Sequence, residues 1–237
     1  DAIRRYTHIA TGNYNENTAA LYTDVDLITA DEDIGRDAAQ LFNYLMAYTD
    51  EERWRTLSAA PFNLRQNILK LFNEEIGFAK SGKEARIIMK MNSLIDKEII
   101  DKMYEASESG VKIDLIVRGI CGLKAGCAGF SENISVRSII GRFLEHARVF
   151  YFKSGGKDRY FISSADMMPR NLNRRVELMA EIKDKDFKKS LQTFLKTGLE
   201  DNTKAWVLDG HSFHKTVAGK NDENINSQEF FMNNRLV

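Results

Sequence analysis

Apolar positions along the chain switch between a period of two and a period near 3.6, and the switches mark out the elements. Residues 3–9 read as a strand, Thr11-Gly-Asn-Tyr-Asn15 as a polar turn, and 19–30 alternates well enough to predict a second strand. Asp31 is placed to cap a helix over about 33–48, whose Ala38, Leu41, Leu45 and Tyr48 share one face. The charged stretch 50–55 reads as a linker. Beyond Pro61, Leu64, Ile68, Leu71, Phe72 and Ile76 mark an amphipathic helix, and 85–91 is a largely apolar strand. Ser93 with Asp96 gives a capping-box-like start to a helix carrying Ile99, Ile100, Met103 and Tyr104. Gly110 ends that helix, and the β-branched run 111–117 leads to Arg118 and a glycine-rich loop, so a βαβ unit with a parallel sheet is predicted. Strands over 134–140, 148–152, 159–162 and 176–182 and a helix over 187–199 follow. The tail after Gly210 is rich in Asn, Ser and Lys; 227–236 reads as a short or frayed helix, and no function is assigned to it.

Composition narrows this picture. With 237 residues, 43% of them hydrophobic, the chain can bury a core as one large domain or two small ones. Thirty-four basic residues balance thirty-four acidic ones, so no global field points to nucleic acid or an anionic membrane, and any polyanion site has to be local. The longest apolar runs, such as 113–117 and 149–152, fall far short of the roughly 20 residues that span a bilayer, so no transmembrane segment is expected. Cys121 and Cys127 share one glycine-rich loop without a CxxC or a nearby histidine pair, which suits a reduced cytoplasmic protein better than a zinc site or a disulfide framework. The chain opens at Asp1 without an initiator methionine or a signal peptide, as though cut from something longer.

One weak internal echo carries chemistry. Gly12-Asn13-Tyr14-Asn15 near the start and Ser163-Ser164-Ala165-Asp166 with Asn171 later both follow a strand and are rich in small polar groups. Upstream of the second copy stand His146 and, two positions on, Arg148. A histidine, a basic residue and a small polar turn in that order resembles the half-site of the phospholipase D superfamily, in which two halves face each other across a pseudo-twofold axis. One imidazole attacks phosphorus, the other protonates the leaving oxygen, and small polar groups hold the phosphate. The first half here has its turn but no upstream histidine, His8 being too close to the turn.

Longer strings narrow the resemblance. Arg5-Tyr-Thr-His-Ile-Ala-Thr-Gly-Asn-Tyr-Asn15, Leu21-Tyr-Thr-Asp24, Ala60-Pro-Phe-Asn-Leu-Arg65, Lys90-Met-Asn-Ser-Leu94, Gly110-Val-Lys-Ile-Asp-Leu-Ile-Val-Arg-Gly-Ile120, Gly141-Arg-Phe-Leu-Glu-His146 and Ser163-Ser-Ala-Asp-Met-Met-Pro-Arg-Asn171 are similar to type 1 polyphosphate kinases over nearly the whole chain, apart from the tail. The resemblance implies an α/β fold, a phospholipase D-like mixed sheet flanked by helices. Residues 1–56 would end a first such domain and 57–237 would form a complete second one. It implies reversible transfer of the ATP γ-phosphate to inorganic polyphosphate, with Mg2+ accompanying the nucleotide and no metal ligand in this chain. The phosphohistidine would form just before Asp1, on none of the four histidines present, so the chain alone should lack turnover. Dimer contacts of the parent would lie mostly upstream, and membrane association would at most be peripheral.

What is carried over residue by residue is Tyr22 against the nucleotide, Arg118 gripping phosphate in a guanidinium fork, and His146 as the second-half histidine, acting as proton donor or stabiliser of the transferring group. Arg175 is a further phosphate contact, and Thr11, Asn13, Asp24, Lys90, Ser164 and Arg170 are weaker candidates, Lys90 and Arg170 for a basic tunnel that threads polyphosphate. From the residues alone, His146 reads as a structural histidine, Tyr22 as a strand aromatic, 11–13 as a plain turn, and Arg118 equally as a partner for a carboxylate. Two rivals stay open: a phosphodiesterase of the same superfamily, against which stands Arg148 where those enzymes carry lysine, and a nucleotide- or polyanion-binding module without turnover.

Overall fold

The computed structural model describes residues 4–46, 54–210, 212–219 and 222–234. In chain order the first part comprises β1 (Thr7–Ala10), α1 (Glu16–Ala19), β2 (Tyr22–Thr23), β3 (Asp26–Thr29) and α2 (Glu32–Leu45). Then come β4 (Leu57–Ala60), α3 (Leu64–Lys80), β5 (Arg86–Met91), α4 (Lys97–Glu108), β6 (Lys112–Val117), β7 (Ile134–Ile139), β8 (Leu144–Glu145), β9 (Arg148–Phe152), β10 (Arg159–Ser163), α5 (Pro169–Asn173), β11 (Glu177–Ile182) and α6 (Lys185–Glu200). A hairpin of β12 (Ala205–Asp209) and β13 (Ser212–Lys215) and helix α7 (Ser227–Asn233) end the described chain.

Nine strands make one mixed sheet in the order β13-β12-β7-β6-β5-β9-β10-β11-β4. Its centre, β5-β6-β7, is parallel, and the flanking strands run antiparallel. The centre of the sheet is buried on both faces, which is why its strands read as continuous apolar runs and not as alternating ones. Successive side chains nevertheless part to opposite sides. Ile87, Met89, Phe150 and Phe152 pack beneath Leu64, Ile68 and Phe72 of α3 and Ile99 and Met103 of α4. Ile88, Val149 and Tyr151 face the other way, against Leu191 and Leu195 of α6. The expected α/β class, with a large mixed sheet flanked by helices, is what the chain forms.

Several elements depart from the reading above. The strand foreseen over 19–30 breaks into α1, β2 and β3, because Asn15 accepts the amides of Asn17 and Thr18 and starts a helical turn. The cap of α4 is Asp96, which accepts Ile99 N–H at 3.2 Å, not Ser93. Neither β4 nor the β12–β13 hairpin, which turns at Gly210 where the tail begins, was foreseen. Most of the linker at 50–55 and Tyr48 lie outside the described residues. Two small ladders complete the pairing: β1 pairs antiparallel with β3 within the first segment, and β2 pairs parallel with β8, Tyr22 opposite Leu144 and Thr23 opposite Glu145, which joins that segment to the rest. That second ladder sets the site.

Candidate functional site

The parallel pair β5–β6 ends at Met91 and Val117, and the chain leaves it as Asn92 and Arg118. Strand β9, antiparallel to β5, begins at the same edge with Arg148, just after His146. Ligands of α/β proteins sit at the carboxyl edge of the strands, and here that edge carries a connected polar network. Asp166, in the turn after β10, accepts the amides of Asn92 at 2.7 Å and Ser93 at 3.3 Å, and takes Arg148 through Nε at 3.3 Å and Nη2 at 3.0 Å. Arg148, 8% exposed, spends Nη1 on the carbonyls of Thr11 and His146, each at 3.0 Å. One buried guanidinium thus ties the turn of the first segment to the strand of the second.

His146 sits on this base. Its Nδ1 lies 2.9 and 3.1 Å from the Asp24 carboxylate, itself aimed by the Thr11 hydroxyl at 2.7 Å. A carboxylate on Nδ1 selects the tautomer and leaves Nε2 as the working nitrogen. Arg148 Nη1 approaches both ring nitrogens at 3.1–3.2 Å, but its two protons already have carbonyl acceptors, so Nε2 is not consumed by it. The Tyr22 ring lies 4.8 Å from the imidazole, centroid to centroid. Asn92 donates to the His146 carbonyl at 3.0 Å and accepts Arg118 Nε at 2.8 Å, which aims the guanidinium outward with no partner for its terminal nitrogens among the described residues. Tyr22 and Arg118 line a cavity of about 440 Å³ together with Leu21, Ile140 and Arg142. On its other side Tyr22 borders a second hollow of about 470 Å³ with Asn13 and Asp24.

The structure therefore brings His146, Tyr22, Arg118, Asp24, Thr11 and Asn13 to one edge. Thr11 is buried and engaged, since besides bonding Asp24 it accepts Val25 N–H at 3.0 Å. Ser164 is also engaged, donating to Glu177 and accepting Leu178 N–H. Arg170 and Arg175 are exposed on and beside α5, Arg175 at 4.0 Å from Glu177. Lys90 belongs elsewhere. It is 3% exposed, paired with Glu145 at 3.0 Å, and bonded to the Ala147 carbonyl, so its ammonium is engaged inside the chain and is no free cation at the exposed edge. Asn92, Arg148 and Asp166 were assigned no role at the site in advance. All three stood in the motifs already quoted, but nothing in the spacing says that Arg148 and Asp166 pair.

Burial pushes the Cys121 thiol above its ordinary range, which disfavours a thiolate beside this edge. Among the described residues no three His, Cys, Asp or Glu side chains are grouped so as to hold a metal ion. None of the described helices is long and apolar enough to cross a membrane.

Comparison with known proteins follows the same lines. The family described as polyphosphate kinase C-terminal domain 2 matches residues 57–228, and polyphosphate kinase C-terminal domain 1 matches residues 1–51. A polyphosphate kinase of Mycolicibacterium gilvum is 48% identical over 88% of this chain, and one of Lactiplantibacillus plantarum 45% identical over 98%. The crystal structure of polyphosphate kinase from Porphyromonas gingivalis superposes with a TM-score of 0.92 at 37% identity, over 97% of this chain and 35% of that one. The chain spans 29% and 32% of the length of the two relatives.

Proposed function

The chain belongs to the polyphosphate kinase family, and from that premise we propose that it supplies the second half of a site that passes the γ-phosphoryl group of ATP to inorganic polyphosphate and back. The observation that carries this is His146, held by Asp24 on Nδ1 with Nε2 left to work. In the proposed reaction a histidine upstream of Asp1 attacks the γ-phosphorus, forming a P–N bond as the P–O bond to ADP breaks. His146, doubly protonated, keeps Nδ1–H on Asp24 and gives Nε2–H to the leaving oxygen or to the transferring group. A terminal phosphate oxygen of polyphosphate then attacks the phosphohistidine and frees the nitrogen. Tyr22 is proposed to lie against the nucleotide, and Arg118, with Arg175 beyond it, to hold phosphate oxygens.

Magnesium is proposed to arrive with the nucleotide, because that ion keeps several waters and binds through substrate phosphates with few protein carboxylates. It neutralises phosphate charge when bound, and no residue of this chain is assigned to it. A cytoplasmic site of action and a homo-oligomeric parent are part of the same proposal. The chain alone is proposed to bind nucleotide without turnover.

The test is labelling with γ-labelled ATP and magnesium, comparing this chain with a protein extended upstream to include the expected histidine. Acid-labile label on the longer protein alone supports the reading; label on this chain redraws it, starting with His146. In the full-length parent, His146→Ala should slow ADP formation by about 10²–10⁴-fold, and a change under twofold would leave only a binding module. Turnover of a phosphodiester substrate would favour the phosphodiesterase instead.

A further inference from the structure

Strand β8 is two residues long, and its ladder to β2 holds it from one side only. We infer that helix α7 is a latch on the other side, with Gln228 as the positioning residue for His146; this rests on the reading of His146 as a working residue.

The Gln228 amide is saturated by this one segment. Nε2 donates to the Phe143 carbonyl at 2.8 Å and to Glu145 Oε1 at 2.7 Å, and Oε1 accepts Phe143 N–H at 2.9 Å. The second oxygen of Glu145 takes Lys90 Nζ at 3.0 Å, and Nζ also reaches the Ala147 carbonyl at 3.3 Å. Both neighbours of His146 in the chain are therefore pinned from beneath. A buried Lys–Glu pair holds a shape only when its remaining bonds are met, and Gln228 meets one of them.

Gly141 bears on the same contact. A Cβ there would stand 2.4 Å from Gln228 Oε1, and Gly141 is not among the residues with positive φ. The missing side chain thus makes room for the amide and serves no unusual backbone angle. The latch is anchored at its own root: Ser227 donates N–H and Oγ–H to Asp201 Oδ2, both at 2.8 Å. Asp201, 1% exposed, gives its other oxygen to the amides of Thr203, Lys204 and Ala205. Beside the amide lies a cavity of about 270 Å³ bordered by Phe143, Phe194, Phe231 and Met232. Apolar packing is incomplete there, which leaves the hydrogen bonds to set the position.

The test joins two readouts. Hydrogen exchange of this chain reads the latch directly, because the amides of Leu144, His146 and Ala147 donate to Leu21 and Thr23 carbonyls across the β2–β8 ladder. Gln228→Met should speed exchange in a peptide over 141–148 and leave the β5–β6 peptides unchanged; equal exchange overturns the latch. In the full-length parent, Gln228→Met should lower kcat for ADP formation roughly ten- to a hundredfold, as a misplaced catalytic group does, with KM for ATP within about twofold. Gly141→Ala should cost a similar factor alone and nothing further in a Gln228→Ala background, since the clash partner is gone. Faster exchange with unchanged kcat, while His146→Ala abolishes turnover, refutes the positioning role. If His146→Ala itself leaves turnover intact, the functional reading falls, and the exchange arm still decides whether α7 holds this strand.

Discussion

Removing the carboxylate of Asp166 tests whether the buried pair under the site holds the two segments together. Asp166→Ala strands the Arg148 guanidinium, 8% exposed, and frees the amides of Asn92 and Ser93 that the carboxylate accepted. Breaking a buried pair from one side costs about 3–5 kcal/mol, because the surviving charge stays desolvated. For an m-value of about 3 kcal/mol/M, this moves the urea midpoint of the chain down by roughly 1 to 1.7 M. Replacing both partners, as Arg148→Met with Asp166→Leu, removes the charge along with its partner. The pair should then lose at least about 1 kcal/mol less than the two single losses summed. The full recovery seen when an isolated pair is replaced is not expected, since Arg148 also serves the carbonyls of Thr11 and His146. A loss below about 1 kcal/mol for Asp166→Ala, or single losses that simply add, would refute the argument.

Three further outcomes are expected. Asp31 caps α2 by accepting Ile34 N–H, and that bond, with Lys183 nearby, holds its carboxyl below the ordinary range. A carboxyl lowered in the folded state stabilises above its unfolded value and stops doing so as pH falls through the folded one. Asp31→Ala should thus cost about 1 kcal/mol at neutral pH and less near pH 3, by urea titration at both; an equal gap would show that the charge is not involved. Phe152, fully buried and edge-on to Phe72 and Phe161, should cost about 3–5 kcal/mol as Phe152→Ala, measured the same way. In the full-length parent, Tyr22→Ala should weaken ATP binding by about 1–3 kcal/mol in calorimetry, and an unchanged Kd would remove Tyr22 from the nucleotide site.

The central α/β unit was legible because its physics is local. A β-branched run after a capped amphipathic helix leaves few alternatives, and α3, β5, α4 and β6 fall where the period predicts. The elements that were missed depend on distant partners. Strand β4 is Leu-Ser-Ala-Ala, with little propensity of its own; Asp37 of α2 takes the amides of Arg55, Thr56 and Leu57 and delivers it to β11. Strand β13 is exposed along its length and exists by pairing with β12. At the site, Tyr22, Arg118 and His146 were found only through a resemblance to a family, since no spacing rule puts residues 24 and 146 in contact. Lys90 was legible only as a charge: a lysine in a quoted motif reads as a free cation until Glu145 is seen beside it.

The β2–β8 ladder has a consequence for how this region tolerates change in length. His146 and Ala147 both donate to the Thr23 carbonyl, and Leu144 donates to that of Leu21. Side chains alternate along a strand, so one residue inserted or deleted between Gly141 and Leu144 would turn the imidazole away from Asp24 and present its neighbour instead. A conservative swap of side chain leaves that geometry alone, whereas a gain or loss of one residue reverses it. Surface loops absorb such changes freely, but the count of residues between Gly141 and His146 is as much a part of the site as the imidazole it delivers.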